Sequence, residues 1–141
     1  MRILLTGKNG QVGSELNKIL SQFGEVFATG RNEMNLADPS QIRHVVQQIK
    51  PKLIINAGAY TAVDKAESDQ ELAKAVNGIA PKILAEEAKN HDALLIHYST
   101  DYSYNGEMSH RPYLESDSPS PNSVYGKTKL QGDQAIEKSG V

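Results

Sequence analysis

Short, continuous apolar runs alternate along the chain with longer segments in which apolar residues recur at every third or fourth position. The runs centre on residues 3–5, 26–27, 53–55 and 93–96. Runs of this length are typical of strands buried on both faces, and the segments between them are typical of amphipathic helices. Alternating strands and helices predict an α/β fold with a parallel sheet and right-handed crossovers. We therefore expect a doubly wound, four-stranded sheet with helices on both faces.

The sequence of the helical segments indicates which residues face the sheet and where a helix is interrupted. Pro81 interrupts the segment over 70–90, which predicts a kink or a new helix near Gly78. Asn77, just before this break, is either a satisfied core residue or a buried polar group with a functional partner. The apolar face of the first helix is expected to consist of Val12, Leu16, Ile19, Leu20 and Phe23.

Three glycines follow the first predicted strand at the start of the first helix. Gly7, Gly10 and Gly13 form the pattern G-x-x-G-x-x-G. Such glycines provide a tight turn, a close approach of the backbone to a pyrophosphate, and close packing of helix on strand. A P-loop would require Gly-Lys-Ser/Thr, which Gly7-Lys8-Asn9 does not supply. The pattern therefore predicts a Rossmann-type fold with a dinucleotide site at these glycines.

The end of the second strand selects between nicotinamide cofactors in such a fold. An acidic residue there binds a ribose hydroxyl of NAD, whereas an arginine accommodates the 2′-phosphate of NADP. Positions 30 and 31 hold no acid, and Arg31 is present. This favours NADPH, with NADH as an alternative. Arg31 can also be read as a solvated residue at a strand end.

Candidate chemistry lies after the third and fourth strands and in the last helix. Small and polar residues occupy 56–61 and 98–102, where ligands bind in open parallel sheets. Tyr125 and Lys129 are four residues apart in a predicted helix, so they share one of its faces. An ammonium near a phenol favours the phenolate and lowers its pKa. The two residues are therefore either an acid–base pair or an exposed pair on a surface helix.

Composition narrows the function classes. The chain has 141 residues, a net charge of −2 and scattered basic residues, so it shows no footprint for nucleic acid. It has no cysteine, which excludes disulfides, thiolate zinc sites and cysteine nucleophiles. No apolar run approaches the roughly 20 residues that span a bilayer. A cytoplasmic protein with no membrane partner and no signal peptide is expected.

Four stretches together resemble the extended short-chain dehydrogenase/reductase family and, among its members, the dTDP-4-dehydrorhamnose reductases. They are GKNGQVG at 7–13, NAGAYTAVDKAE at 56–67, HYSTDY at 97–102 and VYGKTKL at 124–130, in the family's order and spacing. The resemblance implies reduction of the 4-keto group of dTDP-4-dehydro-6-deoxy-L-mannose, a nucleotide sugar, to dTDP-L-rhamnose. NADPH, or alternatively NADH, would be the reductant.

The resemblance also implies a role for each matching residue. Tyr125 would protonate the sugar C4 oxygen as the nicotinamide delivers hydride to C4. Lys129 would lower the pKa of Tyr125 and hold the nicotinamide ribose. Thr100 would donate a hydrogen bond to the substrate carbonyl, and Asp101 would lie beside it in the sugar pocket. The other implied cofactor contacts are Gly10, Gln11 and Val12 at the pyrophosphate, Asn35 and Leu36 at the adenine end, and Ala59, Tyr60, Thr61 and Tyr98 along the cleft.

The chain departs from the family in its loop and its length. Ser103 stands where an apolar residue is usual, while Tyr104 keeps an aromatic ring. Mg²⁺ is implied only by relatives that use it at a dimer contact, since no acidic cluster in the sequence marks a metal site. The family's enzymes are much longer, so residues 1–141 are expected to form a dinucleotide-binding domain without its substrate domain. Most of the catalytic rate is expected to be missing with it.

Three further expectations stay open. An uncovered sheet edge after the fourth strand would invite association, with a homodimer as one outcome. A nucleotide-sugar epimerase or dehydratase of the same superfamily is an alternative function. A fragment that binds a dinucleotide without catalysing a reaction is the other alternative.

Overall fold

The four predicted strands form one parallel sheet in a computed structural model, which describes residues 1–108 and 110–141. The order across the sheet is β2-β1-β3-β4. Because β2 and β3 lie on opposite sides of β1, the winding reverses between β1 and β3, where a ligand crevice is expected. The Rossmann-type, doubly wound fold is thus confirmed. The strands are β1 (Arg2–Thr6), β2 (Glu25–Thr29), β3 (Leu53–Asn56) and β4 (Leu94–His97).

Six α-helices connect and follow the strands within the described residues. None of them is both long and apolar enough to cross a bilayer. A π-helical turn at Ala75–Ile79 joins α4 to α5, and single 3₁₀ turns lie at Leu20–Gln22 and Asp101–Ser103. The helices are α1 (Gln11–Ile19), α2 (Pro39–Ile49), α3 (Val63–Ala66), α4 (Gln70–Lys74), α5 (Ala80–Asn90) and α6 (Val124–Ser139).

Local chemistry fixes where α2 and α6 begin and end. The Asp38 carboxylate accepts hydrogen bonds from the N–H groups of Ser40 and Gln41, so it caps the start of α2. The Ser123 hydroxyl accepts from the N–H of Gly126 at 3.0 Å and caps α6 in the same way. Gly140 ends α6 with a φ of +71°, a conformation that glycine adopts without strain.

Two hydrophobic layers cover the two faces of the sheet. Leu4 and Ile54 point to the face covered by α2 and α5, where Ile42 and Leu84 are fully buried. The alternate strand residues point to the α1 face. Burying a side chain of this size stabilises the fold by roughly 1.5–3 kcal/mol. The residues buried on the α1 side are Ile3, Leu5, Leu20 and Ile55.

The predicted apolar face of α1 is wrong at three positions. Val12, Ile19 and Phe23 are exposed, and Leu16 is only half-buried. The α-helix ends at Ile19, and the following 3₁₀ turn has 3.0 residues per turn. Phe23 therefore leaves the helical stripe that its spacing suggested, while Leu20 at the start of the turn stays buried.

The outer strand of the sheet is partly uncovered. Leu94 and Ile96 of β4 are exposed on the same side as Ile55, which pairs with Ile96. α1 covers this face over β1 and β3 and does not extend across β4. β4 is an edge strand of the sheet in the described residues, and association through its outer edge stays a prediction. The predicted polar loop over 103–120 includes residue 109, which lies outside the described residues.

The predicted break near Gly78 is a π-helical turn against which α6 packs. Pro81 has no N–H to donate to the carbonyl of Asn77, four residues earlier, so the α-helical pattern cannot continue there. A Cβ added at Gly132 of α6 would lie 2.2 Å from that Asn77 oxygen. Only glycine permits this approach.

We expect Gly132→Ala to lower the free energy of unfolding by about 2 kcal/mol, because the added methyl group overpacks the contact with Asn77. Alanine raises helix propensity by about 1 kcal/mol over glycine, so propensity alone predicts the opposite sign. Urea denaturation measures the difference. Gln134→Ala on the exposed side of α6 is the control and should change stability by less than about 0.5 kcal/mol. A Gly132→Ala chain as stable as the parent would contradict the close approach.

Candidate active site

A cavity of about 650 Å³ lies at the carboxyl ends of β1 and β3, where the winding reverses. Gly7 has a φ of +69°, and a Cβ there would come within 2.7 Å of the Gly58 backbone. A Cβ at Gly13 would lie 2.0 Å from the Gly7 oxygen. The glycines thus let the turn, β3 and α1 meet. The cavity is lined by Gly7, Asn9, Gly10, Gln11, Val12, Ala57, Gly58, Ala59 and Thr61.

The residues of this cavity fit a dinucleotide pyrophosphate. No side chain caps the start of α1, so its first N–H groups are left for another acceptor. These groups and the positive end of the helix dipole favour an anion. On the opposite wall, a Cβ at Gly58 would lie 2.6 Å from Leu36 Cδ1, so the backbone itself forms the surface.

A smaller pocket of about 140 Å³ continues the cavity towards the end of β2. The two share Gly7, Gly58 and Ala59. The structure therefore brings the residues predicted for the adenine end into the same cleft as the glycine turn. They are Arg31, Asn35 and Leu36, together with Gly30, Met34 and Val76.

Glu33 is a site residue that the sequence analysis missed. Its carboxylate accepts from the Gly30 N–H at 2.8 Å and from Lys8 Nζ at 2.6 Å. The hydrogen bond from Lys8, followed by the one from Gly30, lowers the pKa of Glu33. An acid is therefore present at the end of β2, but it pairs with Lys8 rather than with Arg31. Its position three residues beyond Gly30 was the only signal in the sequence.

Lys129 is 3% exposed and lies at the carboxyl end of β4. Its Nζ donates to the Tyr98 carbonyl and lies 3.3 Å from His97 Nε2. Burial lowers the pKa of the Lys129 ammonium, and the negative charge of Asp133 opposes part of that shift. The lysine is thus a buried cation held next to the strand ends that carry the cleft.

Tyr125 and Thr100 lie on either side of the 3₁₀ turn that follows β4. The Tyr102 ring meets the Tyr125 ring edge-on, with centroids 5.5 Å apart and planes at 82°. The Thr100 oxygen accepts from the Tyr102 N–H at 3.2 Å, and its own hydrogen points to Asp101 Oδ1 at 3.4 Å. This last contact is long, so the Thr100 hydroxyl keeps a hydrogen that it can donate to a ligand.

Two predicted cofactor residues take part in other contacts. Tyr60 does not line either part of the cleft. Its backbone N–H and carbonyl both bind the Asn77 side chain, and its hydroxyl donates to Asp69 at 3.1 Å. Burial and then the Asp69 hydrogen bond raise the pKa of Tyr60. Tyr98 contributes its backbone carbonyl to Lys129.

Asn77 is therefore a buried residue that supports the site. Besides its two bonds to Tyr60, its Nδ2 donates to the Thr128 hydroxyl of α6 at 3.3 Å. It is 1% exposed. This single side chain connects the loop after β3 with the helix that carries Tyr125 and Lys129.

A second cavity, of about 600 Å³, lies beside Asp101. The rings of Tyr104 and Tyr113 stack in its wall with centroids 4.4 Å apart. Ser103 is buried and its hydroxyl has no hydrogen-bond partner within the described part of the chain. The Tyr104 ring thus packs the loop despite the missing apolar residue. The lining residues are Asp101, Tyr102, Tyr104, Asn105, Gly106, Tyr113, Asn122 and Ser123.

An ion pair closes the loop that forms this second cavity. Arg111 donates two hydrogen bonds to the Asp117 carboxylate, at 2.6 and 2.7 Å. The Leu114 N–H donates to the same carboxylate at 2.8 Å. Arg111, and then the Leu114 N–H, lower the pKa of Asp117 from 3.8 to about 2.

No group of three or more His, Asp or Glu side chains is arranged to hold a metal ion in residues 1–108 and 110–141. The Mg²⁺ site implied by the resemblance therefore gains no support from these residues.

Comparison with known proteins gives the family. A family model described as the RmlD substrate binding domain matches residues 1–141. The chain belongs to the RmlD substrate-binding domain family. The resemblance found in the sequence is thereby confirmed.

Several dTDP-4-dehydrorhamnose reductases match over nearly the whole of this chain. A dTDP-4-dehydrorhamnose reductase from Burkholderia thailandensis is 46% identical, over 99% of this chain and 47% of its own length. The solved reductase from Clostridium acetobutylicum has a TM-score of 0.93 at 39% identity, over 98% of this chain and 49% of that one. The one from Bacillus anthracis, solved with NADP, has a TM-score of 0.91 at 33% identity, over 97% and 49%. The chain thus spans about half the length of these RmlD relatives.

The loop beside Asp101 should loosen in acid. The folded-state pKa of Asp117 is depressed, so the stability that its ion pair gives the loop is present above pH 3.8 and is lost as the pH falls towards 2. At neutral pH, Asp117→Asn should reproduce this loss. We expect a lower hydrogen-exchange protection factor at the Leu114 amide. Glu115→Gln, an exposed change in the same loop, is the control. Equal protection factors at the Leu114 amide in the two variants would contradict the role of the Arg111–Asp117 ion pair.

Proposed function

We propose that this chain supplies the cofactor site and the catalytic tyrosine and lysine of an NADPH-dependent dTDP-4-dehydrorhamnose reductase. One observation carries the proposal: Lys129 and the cleft lie at the same edge of the sheet, and three side chains connect them. These are Thr6, Asn56 and His97, which are hydrogen-bonded from strand to strand, and His97 Nε2 lies 3.3 Å from Lys129 Nζ. A dinucleotide in the cleft would therefore reach the lysine.

The cleft binds the cofactor in this proposal. Gly10, Gln11 and Val12 would face the pyrophosphate, which the N–H groups of Gln11 and Val12 would hold because the Gly10 N–H donates to the Gly7 carbonyl at 2.9 Å. Arg31 would hold the 2′-phosphate of NADPH. Asn35 and Leu36 would contact the adenine end. The NADP complex of the Bacillus anthracis relative supports this choice of cofactor. The nicotinamide of the bound cofactor would supply a hydride to the carbonyl carbon of the substrate.

Residues of this chain would handle the proton. Tyr125 donates its hydroxyl proton to the carbonyl oxygen, which becomes the product hydroxyl. The Lys129 ammonium stabilises the phenolate left behind, and it does so more strongly because the lysine is buried away from water. Thr100 donates its free hydrogen to the same carbonyl oxygen and fixes the carbonyl before transfer.

The substrate assignment rests on the relatives. The Burkholderia thailandensis and Clostridium acetobutylicum proteins carry the reductase name. The substrate would accordingly be dTDP-4-dehydro-6-deoxy-L-mannose and the product dTDP-L-rhamnose. Asp101 and the cavity beside it would receive the sugar. Because the chain spans about half of those enzymes, we expect the isolated chain to bind the cofactor with little turnover.

Calorimetric titration tests the cofactor site directly. We expect the chain to bind NADPH more tightly than NADH, because Arg31 forms charge-assisted hydrogen bonds to the extra phosphate. Arg31→Ala should weaken NADPH binding about tenfold and leave NADH binding unchanged. Lys138→Ala, which removes a charge at the far end of α6, is the control. Tighter binding of NADH would contradict the role of Arg31, and a folded chain that binds neither would contradict the cofactor site.

Turnover tests the chemistry. A chimera joining this chain to the C-terminal half of the Burkholderia thailandensis relative supplies the part that the chain does not span. In that chimera, Tyr125→Phe should lower kcat at least 100-fold, because the proton donor is lost. Lys127→Gln, on the exposed side of the same helix, should leave kcat unchanged. Loss of nicotinamide absorbance measures both rates, and a Tyr125→Phe chimera with near-parental kcat would overturn the proposed acid.

A further inference from the structure

We propose that His97 and Asp133 are positioning residues for Lys129: a directional hydrogen-bond chain runs from the dinucleotide cleft through His97 towards Asp133, and the Asp133 carboxylate keeps the nearby lysine charged. The proposal rests on the proposed function for the catalytic importance of Lys129. Its geometry stands on contacts among Gly58, Thr6, Asn56, His97 and Asp133. Neither His97 nor Asp133 has any other part in the proposed reaction.

The chain begins in the wall of the cleft. The Gly58 N–H donates to Thr6 Oγ1 at 3.0 Å, so the Thr6 oxygen acts as an acceptor. The Thr6 hydroxyl proton then goes to Asn56 Oδ1 at 2.6 Å. Thr6 and Asn56 are each 1% exposed, so water does not offer them another partner. The cleft wall thereby fixes which side of the Asn56 amide faces His97.

Donor and acceptor types then assign the His97 tautomer. With Oδ1 engaged by Thr6, Asn56 presents Nδ2 to His97 Nδ1 at 3.0 Å. The amide Nδ2 only donates, so the Nδ1 of His97 must accept, and the ring proton lies on Nε2. The ring proton therefore faces Asp133 Oδ1, which lies 3.4 Å from Nε2. Lys129 Nζ lies 3.3 Å from the same Nε2, but both atoms are donors, so no hydrogen bond joins them and the ammonium donates to the Tyr98 carbonyl instead.

Asp133 is held on both oxygens. Its Oδ2 accepts from the Ser99 hydroxyl at 2.5 Å, while Oδ1 faces His97. Burial alone would raise the pKa of Asp133, but hydrogen bonds from His97 and Ser99 and the charge of Lys129 lower it overall. The carboxylate therefore stays ionised and fixed beside the lysine.

The spacing on α6 places this carboxylate on the helix face that carries Lys129. Tyr125, Lys129 and Asp133 are successive residues at intervals of four, so they line one face of the helix over two turns. The titratable groups near the lysine are His97 at the end of β4, whose Nε2 is 3.3 Å away, and Asp133 on α6, while Tyr125 shares the same face of α6. Among them Asp133 is the counter-charge that offsets the desolvation of the ammonium.

Nuclear magnetic resonance of the isolated chain tests the arrangement without turnover. The ring nitrogen shifts of His97 should report a proton on Nε2 in the parent chain. A proton on Nδ1 would overturn the proposal, and this measurement needs no variant that might fail to fold. The side-chain titration of Lys129 provides the second readout.

Asp133→Asn should lower the titration midpoint of Lys129 by about one pH unit, because the amide keeps the shape but not the charge. Glu137→Gln, which removes the same charge one turn later on the exposed side of α6, should leave the midpoint unchanged. An unchanged midpoint in Asp133→Asn would overturn the proposal. In the chimera, Asp133→Asn should shift the pH profile of kcat while the KM for NADPH stays the same.

Failure of the two proposals can be told apart. A chain whose Lys129 responds to Asp133→Asn but which does not bind NADPH would contradict the proposed function and support the positioning of the lysine. A chain that binds NADPH but whose Lys129 titration midpoint is unchanged in Asp133→Asn would support the proposed cofactor site and contradict the positioning of the lysine.

Discussion

Parallel pairing of three strands is the constraint on which the site depends. The register aligns Thr6 of β1 with Asn56 of β3, and Asn56 with His97 of β4, each as the last residue of its strand. Three polar side chains consequently stand side by side at the edge where ligands bind in such sheets. A shift of one residue in either pairing would turn one of them to the other face and break the row. The backbone ladder thus sets the distance between the cleft and Lys129.

The buried charge of Lys129 gives this row its physical importance. An ammonium removed from water is unfavourable unless nearby groups compensate it, and here a backbone carbonyl and the Asp133 carboxylate do so. The same low-polarity surroundings make the lysine effective towards a phenolate, because Coulomb interactions strengthen as water is excluded. In the proposed function, stability and catalysis therefore place opposite demands on this position, and the polar groups around Lys129 offset the cost of burying its charge.

The features that depend on local spacing could be predicted from the sequence, whereas contacts between side chains far apart in the chain could not. The strands follow from short continuous apolar runs and the glycine turn from a motif of seven residues, so both were predictable, while the pairing of Tyr125 with Lys129 stays a prediction from their spacing. The Lys8–Glu33 pair and the His97–Asp133 contact join side chains 25 and 36 residues apart, and no periodicity encodes them. Exposure of Phe23 depended on a 3₁₀ turn, whose shorter period the α-helical pattern could not show.

The cleft at the glycine turn and the cavity beside Asp101 differ in how tightly their walls are packed. The cofactor side consists of strand ends and glycine turns whose atoms are in contact with the sheet, so it tolerates little change. The cavity beside Asp101 is formed largely by a loop, which one exposed ion pair and one aromatic stack hold closed. Loops accept substitution and movement far more readily than strand ends. If the proposed function holds, the chemistry at Tyr125 can stay fixed while the loop adapts to a different sugar.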